Sequence, residues 1–362
     1  MPRYDYNLIA IGAGSGGLVT TLIGAAIKAK VALIEKHRMG GDCLNTGCVP
    51  SKSLIASAKV VQLLKKHEAF GLKNVQYEVD FPQVMERIQE IIAKIAPHDS
   101  VERFTKLGVE CHLGEARIGS PHEIEVNGRV LTTKNIVVST GARPFVPPIP
   151  GLEEVAFSHS DNLWELRKQP KHLAVIGGGP IGCELAQAFR RLGSEVTILN
   201  LDPRIMPRED ADVVEFVSRT FERDGITTHN SIRIQRVERT PEGASIHFEQ
   251  NGAEQTLEAD HLFVAAGRKA NIAGFGLEEL GVALNPNGTI QVDRFTTPLG
   301  PMLVGATDSR LCLLEFVDRR MLPAQVQRLR RRLGAVFVPD RNDIIEQTEG
   351  EIGDYFEGKR QN

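Results

Sequence analysis

The sequence predicts an α/β fold with two Rossmann-like units and a short α+β tail, on two observations. Asn7-Leu-Ile-Ala-Ile11 is a continuous apolar run, the pattern of a strand covered on both faces, and it feeds Gly12-Ala-Gly14-Ser-Gly-Gly17 and a helical stretch. The same plan returns at Leu173-Ala-Val-Ile176, Gly177-Gly-Gly179-Pro-Ile-Gly182 and a helix-like stretch over 183–192, followed by a strand over 195–199. A chain of 362 residues has room for more than one such unit, and its 34 glycines suit repeated tight turns.

Between the two units, residues 52–107 read as helical, with Ile88, Ile91, Ile92 and Ile95 at helix spacing. Short strands are expected over 110–118, 123–126 and 136–139, and the proline-rich stretch 144–150 reads as an extended crossing between domains. From Ile232 apolar and polar residues alternate as in hairpins, up to Leu262-Phe-Val-Ala-Ala266 and Gly267. An arginine-rich helix over 325–333 and a second helix over 343–356 are expected in the tail. The domain division expected is 1–148 with 262–308 for the first dinucleotide-binding domain, 149–261 for the second, and 296–362 for the tail.

Lysine plus arginine number 43 against 46 acidic residues, a net charge of −3, so no overall electrostatic footprint for nucleic acid is expected. Arg328, Arg330, Arg331 and Arg332 precede an acidic segment over 340–357 and read as a solvated helix face. Five cysteines in a chain of this length do not make a disulfide scaffold, which points to a reducing, cytoplasmic setting. The N-terminus has no signal-peptide pattern, and the most apolar stretch, 18–34, contains Lys28, Lys30 and Gly24, so no membrane span is expected.

Each glycine turn has the form that lets backbone approach a pyrophosphate. Gly12 permits the tight turn, Gly14 the close approach and Gly17 the packing of the helix, whose N-terminus favours an anion. Glu35 stands 18 residues after Gly17, where a carboxylate can accept from ribose hydroxyls. The same offset from Gly182 reaches Asn200, which does not repel a 2′-phosphate, so NADH and NADPH both stay open. Arg204 is a candidate phosphate partner against the plainer reading of a surface arginine.

Gly40-Gly41-Asp-Cys43-Leu-Asn-Thr-Gly-Cys48-Val-Pro-Ser-Lys52 is the most specific stretch in the chain. Two cysteines four residues apart beside a dinucleotide unit suit a reversible disulfide, one sulfur exchanging with substrate and the other facing a cofactor. That spacing is unusual for a metal, and no metal site is expected. Cys111, Cys183 and Cys312 read as core residues.

These motifs, with Ser139-Thr140-Gly141-Ala-Arg143-Pro and Ala266-Gly267-Arg268-Lys-Ala-Asn271, resemble the class I pyridine nucleotide-disulfide oxidoreductases over residues 4–295. The resemblance is strongest to the mercuric-reductase-like branch, with dihydrolipoamide dehydrogenase and glutathione reductase as relatives. It implies FAD at the first fingerprint, with Glu35 on its ribose, NAD(P)H at the second, and hydride passing through the flavin to the Cys43–Cys48 disulfide. It further implies that Cys48 is the flavin-proximal thiol, Cys43 the interchange thiol, Lys52 the lysine near the flavin and Glu184 its ion-pair partner. Gly41, Thr140, Gly141, Gly177, Gly179 and Gly267 join the implied cofactor-binding residues. The electron acceptor implied is a small molecule or a disulfide.

Members of that family end in an interface domain that lends a His–Glu pair to the partner subunit. No histidine follows His261 here, so Cys43 is expected to be activated by local potential alone, and most of the surface of the homodimer usual in the family is expected to be missing. From about Thr296 the sequence resembles instead the N-terminal domain of alkylguanine-DNA alkyltransferases, through Thr297-Pro-Leu-Gly-Pro-Met302, Leu311-Cys-Leu-Leu-Glu-Phe316 and Phe337-Val-Pro. The Pro-Cys-His-Arg acceptor motif of that family is not among these residues. Asp308 lies 15 residues after Asp293, the spacing of the flavin-contacting aspartate in the reductases, so residues 301–308 are expected to supply the last strand of the first sheet. The competing expectation is a non-enzymatic or inactive fusion with an alkyltransferase remnant.

Overall fold

The computed structural model describes residues 4–277, 279–280, 290–297, 300–307, 310–316, 322–333, 337–339 and 341–356. The chain divides into two compact units, Met1–Gly281 and Val282–Asn362.

The first unit contains the same three-layer plan twice. Its first parallel sheet runs Val109–Leu113, Val31–Glu35, Leu8–Ile11, Ile136–Val138. All five residues of Val31–Glu35 are buried, which is why the sequence there is a continuous apolar run rather than an alternating one. The helix Ser15–Ala26 covers one face, where Leu18 packs with Ala10, Val31, Leu33 and Phe104. A three-stranded antiparallel sheet, Ala116–Ser120, Glu123–Val126 and Arg129–Thr132, covers the other through Ile118, Ile124 and Leu131 against Ile9, Ile11 and Ile34.

The second parallel sheet runs Thr227–His229, Glu195–Leu199, His172–Ile176, His261–Val264, Phe157–Ser158. One of its faces carries the helices Pro180–Leu192 and Ala211–Asp224, and the other the hairpins Ile232–Thr240, Gly243–Gln250 and Ala253–Ala259. The helices Cys48–Lys65 and Phe81–Ile95 share a core with this half: Leu54, Ala58, Met85 and Ile88 pack with Leu185, Phe189 and Phe263.

Several boundaries differ from the sequence reading. His261–Val264 is an inner strand of the second sheet, so a boundary at 262 cuts through that sheet, and the chain returns to the first half only after Val264. The crossing is made by a small antiparallel ribbon, Ala142–Pro144 with Arg268–Ala270. The stretch 110–118 is two strands in two sheets, divided at Gly114, where a Cβ would lie 2.3 Å from Asn127 Oδ1. The helical stretch 52–107 is interrupted after Gly71, which caps a short helical turn at φ +74°.

In the second unit, Ile290–Thr297, Gly300–Thr307 and Arg310–Phe316 form an antiparallel sheet, joined in parallel by Phe337–Pro339. The helix Leu322–Leu333 begins three residues before the expected 325–333, and Asp343–Phe356 matches its expected bounds. Asn342 opens the second helix, its Oδ1 accepting from Ile345 N at 3.0 Å, and Ile345 is buried with Val304 and Ala306. Gly300–Thr307 has an antiparallel neighbour on each edge, which corrects the expectation that it continues the first parallel sheet: neither edge has backbone groups left for another strand. Asp308 itself lies outside the described residues. Among those residues no helix is long and apolar enough to cross a membrane.

The glycines of the first turn separate two roles. A Cβ on Gly17 would stand 1.9 Å from Gly12 O, whereas one on Gly14 would meet nothing closer than Gly41 Cα at 3.8 Å. Gly17→Ala is therefore expected to lower unfolding stability by about 3 kcal/mol, at the severe end of overpacking, and Gly14→Ala by under about 1 kcal/mol. Urea unfolding of the two variants checks the order.

Candidate active site

The two glycine turns are built alike. Gly12 and Gly177 hold φ of +101° and +113°, and in each a Cβ would strike the backbone of the following crossover, Ser139 O at 2.3 Å or Ala265 O at 2.4 Å. Gly17 and Gly182 bring the helix start onto the turn, with a Cβ on Gly182 falling 2.2 Å from Gly177 O. The middle glycines differ in kind: Gly14 and Gly179 have ordinary extended backbone, at φ −83° and −74°, and a Cβ on Gly179 would meet no protein atom within 4 Å. The fold does not demand glycine at either place. Bare backbone facing open space at a helix N-terminus is what a phosphate needs, so both turns fit a dinucleotide.

The residue ending the second strand locks each turn. Glu35 Oε2 accepts from Ala13 N at 2.6 Å and Oε1 from His37 N at 2.7 Å. Asn200 does the equivalent work, its Oδ1 accepting from Gly178 N at 3.1 Å. Its Nδ2 donates to Asp202 O at 3.0 Å and to Asn230 Oδ1 at 2.9 Å. Asn200 therefore has no donor left for a ribose, which narrows the expected role to acceptance alone. Arg204 is turned away from the role of phosphate partner, its guanidinium donating to the carbonyls of Pro207 and Glu209 at 3.2 and 3.0 Å. Thr140 and Gly141 are stitched to Asn271: Gly141 O accepts from Asn271 N and Thr140 O from Asn271 Nδ2, both at 3.0 Å.

Cys43 lies in the short helix Gly41–Asn45, and Cys48 begins the helix Cys48–Lys65. Gly41, at φ +53°, presses the start of this loop onto the first turn, since a Cβ there would stand 2.5 Å from Gly14 Cα. The two cysteines are free thiols side by side, Cys48 exposed and Cys43 half-buried. Burial pushes the Cys43 thiol above its ordinary range, the neighbouring Cys48 adds to this, and the Ser15 hydroxyl opposes it. The surroundings of Cys43 thus raise its thiol rather than lower it, with desolvation the main cause. Cys183 is buried and its thiol is pushed up to about 12, chiefly by burial, in keeping with a core residue.

Lys52, one turn beyond Cys48, donates to Glu184 Oε2 at 2.8 Å, joining the cysteine helix to the helix that follows the second turn. The two side chains are 61% and 45% exposed, so the pair adds at most about 1 kcal/mol to stability and serves chiefly to hold a charge in place.

Four residues around this loop were not singled out as site residues from the sequence. Trp164 Nε1 donates to Thr46 O at 2.9 Å and to Ser160 O at 2.7 Å. Arg268 donates to the Asp42 carboxylate and to Ala142 O, and to Ser160 Oγ at 3.2 Å. Burial raises the Asp42 carboxyl while Arg268 draws it down. Ser160, Arg268, Gly179, Ile181 and Gly267 line a cleft of about 100 Å³ beyond the carboxyl ends of the strands His172–Ile176 and His261–Val264, the place where α/β sheets bind ligands. The only sequence signal for Trp164 was its being the single tryptophan of the chain.

Two glycine turns on parallel sheets, each fit for a dinucleotide, and a thiol pair seated on the first of them define a disulfide-reductase type of α/β protein. A family model described as pyridine nucleotide-disulphide oxidoreductase matches residues 6–299, and the chain belongs to that family. A mercuric reductase of Bacillus cereus is 33% identical over 306 residues, 84% of this chain and 48% of that protein. A dihydrolipoyl dehydrogenase of Acholeplasma laidlawii is 32% identical over 327 residues, 88% of this chain and 95% of that protein. Among solved structures, the Cu(II) complex of the C43S mutant of the HOCl-induced flavoprotein disulfide reductase RclA from Escherichia coli aligns with a TM-score of 0.66 and 26% identity, covering 78% of this chain and 61% of that one. The chain spans about half the length of the mercuric reductases it matches.

Exposure and burial rank the thiols. Iodoacetamide at pH 8 is expected to label Cys48 first and Cys43 more slowly, with Cys183 unmodified until the protein is unfolded. Peptide mass mapping over time reads the order, and early labelling of Cys183 would contradict it.

Proposed function

We propose that the chain carries the electron-transfer part of a flavin-dependent disulfide reductase, taking reducing equivalents from NADH or NADPH to the Cys43–Cys48 pair. The observation that supports this most is the close approach of Gly41 to Gly14: the thiol loop packs backbone to backbone on the first glycine turn. In this reading Gly12, Gly14, Gly17, Glu35 and Gly41, with Thr140 and Gly141, hold FAD. Gly177, Gly179, Gly182, Asn200 and Gly267 border NAD(P)H. When bound, FAD supplies a two-electron relay between a nicotinamide and a disulfide. Lys52, steadied by Glu184, keeps a positive charge one helical turn from Cys48, on the side the motif assigns to the flavin. Cys48 takes the flavin-facing role by the motif, and Cys43, its thiol raised by burial, takes the exchange role. The acceptor is of a class that a dithiol attacks directly: a disulfide, or a thiophilic metal ion of the kind named for the mercuric reductases.

Anaerobic titration with NADH and with NADPH, followed by visible absorption, tests the reading. The wild type is expected to bleach at flavin wavelengths and to take up a second two-electron equivalent with new long-wavelength absorption, and Cys48→Ser only the first. Purified protein without flavin, or uptake that stops at one equivalent in both, would overturn it. Gly179→Ala is expected to keep flavin and fold but to weaken NAD(P)H binding at least tenfold, measured by the same titration.

A second reading concerns Val282–Asn362. That unit is compact by itself, its sheet is mostly antiparallel, and the family match stops at residue 299, which favours a fused module of the alkyltransferase N-terminal type. Under this reading the module adds neither redox chemistry nor alkyl transfer, and deleting it would leave flavin binding unchanged.

A further inference from the structure

The segment between Cys43 and Cys48 is held at two points by groups outside it. At one, the Trp164 indole N–H is shared between Thr46 O, inside the loop, and Ser160 O, at 2.9 and 2.7 Å. At the other, Arg268 grips the carboxylate of Asp42, the residue before Cys43, and reaches Ser160 Oγ at 3.2 Å. Ser160 thus belongs to both contacts, one through its carbonyl and one through its hydroxyl, and it lines the cleft beside Gly179. Trp164 is 4% exposed and Ser160 8%, so the indole contact is largely shielded from water and the loop carbonyl has no easy substitute for its donor, whereas the Arg268–Asp42 pair is partly exposed.

We propose that Trp164 and Arg268 are positioning residues for the thiol pair: together with Ser160 they clamp the 43–48 loop, and this clamp sets the equilibrium between dithiol and disulfide. The argument is one of chain entropy. A disulfide is itself a tether that closes the loop, so the oxidised form loses little when the clamp is removed. The dithiol form gains freedom, because without the clamp the two sulfurs are no longer held together. Weakening the clamp therefore lowers the effective concentration of one thiol at the other and makes the disulfide easier to reduce. The inference rests on the reading of Cys43 and Cys48 as a redox couple.

The test is equilibration of the purified protein in mixtures of reduced and oxidised glutathione, acid quench, alkylation and mass analysis of the 43–48 peptide. Oxidation forms the Cys43–Cys48 S–S bond, and its two electrons and two protons reduce one glutathione disulfide to two glutathione molecules. Trp164→Phe keeps a ring in the core while removing the N–H, and Arg268→Gln removes the charge at the other contact. Each is expected to lower the effective concentration three- to tenfold, a tenfold loss being 30 mV for this two-electron couple. Urea unfolding of the reduced proteins, in which neither sulfur is linked, separates this from a loss of fold. A wild type that never forms the intramolecular bond would sink the redox reading itself. A wild type that forms it, with folded variants whose effective concentrations match it, would overturn the clamp.

Discussion

Everything at the site depends on backbone packing against backbone at places where no side chain fits. The carbonyl of Gly12 occupies the position that a Cβ on Gly17 would take, and Gly41 sits against Gly14 in the same manner. The first contact fixes the helix Ser15–Ala26 to the end of the strand Leu8–Ile11, and the second seats the thiol loop on that junction. The repeat at Gly177 and Gly182 sets the second helix in the same relation to its sheet. Lys52 and Glu184 can meet only because the cysteine helix and the second-turn helix are both anchored this way.

The parts of this arrangement that were legible in the sequence are those in which one residue type answers a local demand. Glycine at positive φ, continuous apolar strands, a proline-rich crossing and the Cys–x4–Cys spacing each announce themselves within a few residues. The helix Asp343–Phe356 was legible too, and the structure adds the Asn342 cap at its start. What escaped depends on partners distant in the chain. Arg268 meets Asp42 across 226 residues and Trp164 meets Thr46 across 118, and no periodicity encodes such pairings. The assignment of His261–Val264 to the second sheet belongs to the same class, since an apolar run tells that a strand is buried but not between which neighbours.

Two expectations are instructive beside the structure. The spacing from Asp293 to Asp308 matched a flavin-contacting strand, yet hydrogen-bond pairing decides a strand's sheet, and Gly300–Thr307 already has two partners. The sequence left Cys43 to local potential alone, and in the structure burial and the neighbouring Cys48 raise its thiol. Asn200 illustrates a third lesson. Read as a ribose ligand by its offset, it spends its amide on the turn it adjoins, as Glu35 spends its carboxylate oxygens on Ala13 and His37.

The antiparallel ribbon of Ala142–Pro144 and Arg268–Ala270 joins the two halves of the first unit by strands that leave and return side by side. To the host domain, the whole inserted half is therefore topologically a hairpin loop, and closing it costs little more chain entropy than closing a far shorter one. An architecture of this kind is modular: a nucleotide-binding half can be exchanged at the ribbon without changing the strand order of the sheet that receives it.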